Sequence, residues 1–63
     1  MAILKVIEIL SNSTNSWEEA TQNAVAEANK TLQNIVSVNV SNFSTTVKNG
    51  KVDEYRVNVK ITF

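Results

Sequence analysis

Residues 36–63 read VSVNVSNFSTTVKNGKVDEYRVNVKITF, and the fold turns on how this stretch is paired. Val36, Val38 and Val40 share one parity; Ser37, Asn39, Ser41, Phe43 and Thr45 share the other. Successive side chains of a strand point to opposite faces, so this alternation predicts one apolar and one polar face. Lys48-Asn49-Gly50-Lys51 then supplies Asn-Gly, a two-residue hairpin signal because both turn positions need positive φ. With Lys48 opposite Lys51, a regular ladder sets Phe43 against Arg56, Val40 against Val59, Val38 against Ile61 and Val36 against Phe63. That register gathers Val36, Val38, Val40, Val57, Val59, Ile61 and Phe63 on one side. Ser37, Asn39, Ser41, Phe43, Thr45, Arg56, Asn58, Lys60 and Thr62 gather on the other.

Upstream, Ala2–Leu10 is rich in β-branched residues and reads as a first strand. Leu4, Val6 and Leu10 share a face with Glu8, and Ile3, Ile7 and Ile9 share the other with Lys5. A strand apolar on both faces is covered on both. The segment Ser11–Ser16 is a loop by composition, and it ends in Ser16-Trp17-Glu18-Glu19, a capping-box pattern with Ser16 as N-cap and Glu19 reaching back. The helix should run from about Trp17 to Gln33. At about 100° per residue, Trp17, Ala20, Thr21, Ala24, Ala28, Thr31 and Leu32 form its buried stripe, with Val25 at the edge.

The predicted class is therefore α+β, a single domain over 1–63 with element order β-α-β-β. If the first strand runs up and the helix down, the last strand fits between the other two, giving a three-stranded antiparallel sheet ordered 1-3-2 with the helix on the valine face. Hairpin arms of about 40 Å must overhang a helix of about 25 Å. An overhanging two-stranded ribbon is marginal in water, which points to cover from neighbouring subunits. So does size: a chain of 63 residues buries little surface alone, and with no Cys and no His neither a disulfide nor an ordinary zinc site can reinforce it.

Composition narrows function further. Six basic and six acidic side chains balance without a Lys/Arg cluster, which argues against nucleic acid. The run AILKVIEIL is broken by Lys5 and Glu8 and reads as a strand, not a signal peptide or membrane span, so a cytoplasmic protein is expected and the triplets at Asn12 and Asn39 are not glycosylation sites. Without His or Cys, nucleophilic triads and thiolate chemistry are absent, and Asp53 and Glu54, as strand neighbours, point to opposite faces; the chain reads as a non-enzyme. Arg56 offers a fork for a carboxylate or phosphate, or an ion pair with a neighbouring Glu. Phe43 beside it offers cation–π packing, a subunit contact or a ligand surface, and Trp17 reads as a core-edge or interface anchor.

Taken together, KVIEIL with its Ser-rich loop, SWEEATQNAVAEANKTL, VSVNV and GKVDEYRVNVKITF resemble the dodecins across essentially the whole chain. The resemblance implies a β-α-β-β subunit, a hollow sphere of twelve copies, and flavin (riboflavin or FMN) bound in pairs at the subunit two-folds. In flavin-binding dodecins a Trp early in the second strand stacks on the isoalloxazine ring and a Gln in the third strand bonds its pyrimidine edge. Those positions correspond here to Ser37 and Arg56. Ser cannot stack, and guanidinium donates but does not accept. The resemblance thus implies a ligand near Ser37 and Arg56, with Phe43 as the other aromatic on that predicted face, or alternatively a flavin-free structural or calcium-binding cage.

Overall fold

The computed structural model describes residues 3–63. It contains β1 (Val6–Ser13), α1 (Trp17–Asn29), β2 (Ser37–Lys48) and β3 (Lys51–Thr62). All pairings are antiparallel and the sheet order is β1-β3-β2, as the hairpin and the single crossover helix require. Ala20, Ala24 and Ala28 of α1 lie against Val57, Val59 and Ile61 of β3, and these six residues are the buried core. Alanine's short side chain lets the helix axis approach the sheet, so valine and isoleucine on the central strand are sealed without a large residue on the helix. Ile7, Ile9, Leu32, Ile35, Val38 and Val40 close the rim.

Three features differ from the sequence expectation: the bounds of β1, the end of the helix and the register of the hairpin. β1 is shifted toward the C-terminus: it continues through Ser11, Asn12 and Ser13, which pair with Val57, Arg56 and Tyr55. The polar residues enter the strand because the central strand's backbone groups need partners, a tertiary demand that overrides weak β propensity. At its other end Lys5 still exchanges backbone hydrogen bonds of 2.9 Å with Phe63, outside the strand proper, while Ala2 lies outside the described residues. The helix stops at Asn29, a turn early. There the amides of Lys30 and Thr31 donate to the carbonyls of Glu27 and Ala28, three residues back, and Asn34 takes φ 59°, turning the chain toward β2. Thr31 gives up χ1 freedom in a helix and Asn tolerates the left-handed region, so neither opposes the stop.

The third difference alters which residues share a face. Lys48 pairs with Lys51 and Val47 with Val52, as expected, but Thr46 pairs with Glu54, leaving Asp53 as an extra residue in β3. The shifted register persists through Phe43↔Val57 and Asn42↔Asn58 until Ser41, an extra residue in β2, restores Val40↔Val59. Two bulges on opposite strands cancel. Between them the parity of β2 is inverted relative to a regular ladder, so Phe43 and Thr45 turn to the helix side and Asn42, Ser44 and Thr46 to the outer side. The pairing of Phe43 with Arg56 is thus corrected to Phe43 with Val57. Asp53 and Glu54 are likewise not simple alternating neighbours, and the Glu54 amide donates to Thr46 Oγ1 at 3.0 Å.

The overhang is present and larger than expected, because the helix is shorter. Arms of 12 residues extend about 40 Å, against about 20 Å for 13 helical residues. β1 reaches only as far as Tyr55 on β3, so the tip beyond it is a bare two-stranded ribbon. The chain measures 51 × 19 × 13 Å, with a radius of gyration of 13.2 Å where a compact chain of this length has about 10.6 Å.

Candidate functional site

The helix covers one side of the sheet, leaving the other side free of any element of the chain. On that outer face the rows run Val6–Thr62–Ser37, Glu8–Lys60–Asn39, Leu10–Asn58–Asn42 and Asn12–Arg56–Ser44 across the three strands. Amides, hydroxyls and Arg56 occupy its middle, and Val6 and Leu10 its β1 side. Hydrogen-bonding groups thus come in quantity, but no aromatic ring stands among them.

Ser37 and Arg56 share this face without meeting. Ser37 is paired with Thr62, and Arg56 lies six residues earlier on β3, which separates them by about 20 Å along the strand. Within one chain they cannot touch one small ligand together. Arg56 is half-buried between Asn12 and Ser44, and the ion pair expected for it is not formed: the salt bridge among the described residues is Lys30–Glu27. Instead the Arg56 Nε–H and the Asn58 Oδ1, two residues apart on the same face, are both shielded from solvent and without a hydrogen-bond partner. An unmade bond at such a group costs about 1–3 kcal/mol, so an acceptor for the one and a donor for the other would be stabilising there.

Phe43, expected beside Arg56, is on the opposite face. The inversion between the bulges carries it under the start of α1, where its ring meets Trp17 edge-on at 5.7 Å; Tyr55 meets Trp17 from the β3 side at 5.1 Å. Trp17 Nε1 donates to the Ser44 carbonyl at 3.1 Å, tying the first helical turn to the β2 edge. Because α1 lies over β1 and β3 more than β2, a cleft of about 500 Å³ opens between helix and β2. It is lined by Trp17, Glu18, Thr21, Gln22, Val25, Val40 and Phe43. The reading of Trp17 as a core-edge anchor fits this geometry. Tyr55 was not singled out from sequence, although its parity with Val57 and Val59 would have placed it under the helix.

The loop entering α1 is held by a carboxylate. Ser16 Oγ accepts from the Glu19 amide at 3.0 Å, the first half of the capping box. The second half is replaced: the Glu19 carboxylate accepts from Ser13 Oγ at 2.7 Å and from the Asn15 side-chain amide, rather than from Ser16 N–H. Ser13 Oγ in turn accepts from the Asn15 and Ser16 amides. The Ser13 hydroxyl, and after it the Asn15 amide, hold Glu19 below the usual carboxylate value of 4.5. Among the described residues no group of three acidic, His or Cys side chains is placed to hold a metal, and no helix is long and apolar enough to cross a membrane.

A family model described as Dodecin matches residues 3–63. Among solved structures, the dodecin from Streptomyces coelicolor superposes with a TM-score of 0.93 at 26% identity, covering 97% of this chain and 87% of that one. A Trp-to-Phe variant of the Thermus thermophilus dodecin gives 0.92 at 31% identity, with 97% and 91% covered. The Mycobacterium tuberculosis protein described as a calcium-chelating antigen, calcium dodecin, gives 0.88 at 32% identity, with 98% and 89% covered. No curated protein matches the sequence.

Proposed function

The chain belongs to the dodecin family, and from that premise we propose that it is a non-enzymatic cytoplasmic protein whose twelve copies form a hollow particle. It holds a small ligand, riboflavin or FMN, against the outer sheet face where copies meet. The observation that carries this reading is that face itself: polar, uncovered by the chain, and bearing two shielded polar atoms at Arg56 and Asn58 that lack partners. A ligand or a facing subunit that brings acceptors to Arg56 Nε removes a cost already present in the single chain. Ser37 contributes a hydroxyl at the far end of the face. Since it and Arg56 are about 20 Å apart in one subunit, they act on one ligand only when supplied by different copies. Phe43 faces the other side of the sheet and stacks on no ligand bound there. Flavin binding is accordingly weaker than in a site with a stacking Trp.

A second reading is supported by the calcium dodecin at 32% identity and by the absence of a ring at position 37: a flavin-free cage that binds calcium. The oxygen ligands must then converge from several subunits, because calcium takes six to eight of them.

An absorbance spectrum of protein purified without added cofactor, followed by riboflavin fluorescence titration at known native mass, separates the two. Saturable quenching lost in Arg56→Ala, with the mass unchanged, supports the first reading. A colourless particle with flat flavin titration and a calcium-binding isotherm supports the second.

A further inference from the structure

Arg56 and Asn58 stand at the centre of two adjacent rows of the outer face, Asn12–Arg56–Ser44 and Leu10–Asn58–Asn42. Both residues are half-buried between their flanking strands, and both lie outside the core. None of the flanking polar groups bonds the Arg56 Nε–H or the Asn58 Oδ1, and these two atoms do not bond each other. Their Cα atoms are about 7 Å apart along β3, a gap that the long arginine stem narrows. A donor and an acceptor thus stand side by side, shielded from water and unanswered. The correspondence with flavin-binding dodecins touches position 56 only; nothing in it points to Asn58.

The pairing discriminates between ligand chemistries. A phosphate or carboxylate answers Arg56, but it leaves Asn58 Oδ1 without a donor and facing a negative charge. A ring edge of the lactam or imide type carries a carbonyl oxygen next to an N–H, so it answers both atoms at once. Leu10, in the row of Asn58 and 64% exposed, adds apolar surface for a ring beside that edge. We propose that Arg56 and Asn58 together recognise the imide edge of a flavin ring, the ring N3–H donating to Asn58 Oδ1 and the adjacent carbonyl accepting from Arg56 Nε–H. Guanidinium supplies donors only, so the acceptor in this pair has to come from Asn58. The phosphate of FMN accordingly lies away from Arg56. This inference rests on the flavin-binding function proposed above; it adds Asn58 as a specificity residue and fixes which edge of the ring faces β3.

Riboflavin and N3-methylriboflavin, titrated by fluorescence quenching against the native particle, test the assignment, because methylation removes the ring donor and leaves both carbonyls. The methyl group should weaken binding to the native protein by about tenfold. Asn58→Leu, of similar size, should weaken riboflavin binding by about tenfold at unchanged native mass and should no longer distinguish the two flavins. Arg56→Lys keeps the charge but not the Nε–H, and should lose quenching as Arg56→Ala does. Inorganic phosphate should not displace riboflavin. Equal affinity of the native protein for the two flavins, or a methylation penalty that persists in Asn58→Leu, would overturn the edge assignment and leave flavin binding standing. Displacement by inorganic phosphate would give Arg56 to an oxyanion and overturn it too. A native particle that quenches neither flavin would overturn both this inference and the flavin reading.

Discussion

Ser13 shows how one hydroxyl can organise a turn. It is 7% exposed, donates to Glu19 and accepts from two loop amides, so the approach to α1 is fixed by a side chain, not by apolar packing. The hydrogen bonds favour the ionised Glu19 and lower its pKa on folding from 4.5. Its contribution to stability is therefore present above pH 4.5 and is lost as pH falls through the lowered value. Thermal melts from pH 7 to pH 3 should show a decline on the acid side that Glu19→Gln flattens, with the variant already less stable at neutral pH. On the function proposed above, ligand binding turns on Ser37 and Arg56. Ser37→Trp, at an exposed position, restores the missing ring and should tighten riboflavin binding by roughly tenfold, measured by fluorescence quenching. An unchanged dissociation constant would argue that ligand does not approach this face. Both residues are singled out together in the sequence by resemblance alone. Their 20 Å separation is not legible there, because it depends on pairing.

At the scale of the elements, the helix stripe and the Asn-Gly turn follow from local chemistry. Asn49 and Gly50 take φ 54° and 74°, as a two-residue hairpin turn of this type demands. A Cβ on Gly50 meets nothing within 4 Å, so Gly50→Ala tests backbone strain alone and should cost about 1–2 kcal/mol by denaturant unfolding. Ala24, 2% exposed, is buried between helix and sheet; Ala24→Leu should cost about 1–3 kcal/mol through overpacking. What alternation does not reveal is a pair of bulges that cancel. Register at the turn and register at Val38↔Ile61 both agree with a regular ladder, so the inversion between them leaves no mark at either end. The exchange moved Phe43 from the polar face to Trp17, where edge-to-face aromatic contacts are favourable.

The whole molecule is a rod with a six-residue sealed core, an open outer face and an unsupported tip. Such a chain gains by association on both faces, since exposed valines on one and unpartnered polar atoms on the other meet no element of the chain. If the exposed hairpin tip and the outer face serve different ends, assembly and ligand binding, Val47→Asp and Arg56→Ala act on different steps. The first should lower the native mass, and the second should leave the mass intact while abolishing flavin quenching. Native mass measured beside the titration distinguishes them.

The sequence by itself determined the order of elements, the topology of the sheet, the alanine stripe and the family, since each depends on periodicity, a turn dipeptide or motifs that neighbouring residues carry. The tertiary structure decided how far β1 extends, where the helix stops and which face receives Phe43. Those depend on satisfying the backbone of the central strand and on fitting aromatic rings under Trp17, demands set by residues far apart in the chain. Local propensity is blind to a bulge that a second bulge repairs, because its signal lies in the pairing and not in either strand alone.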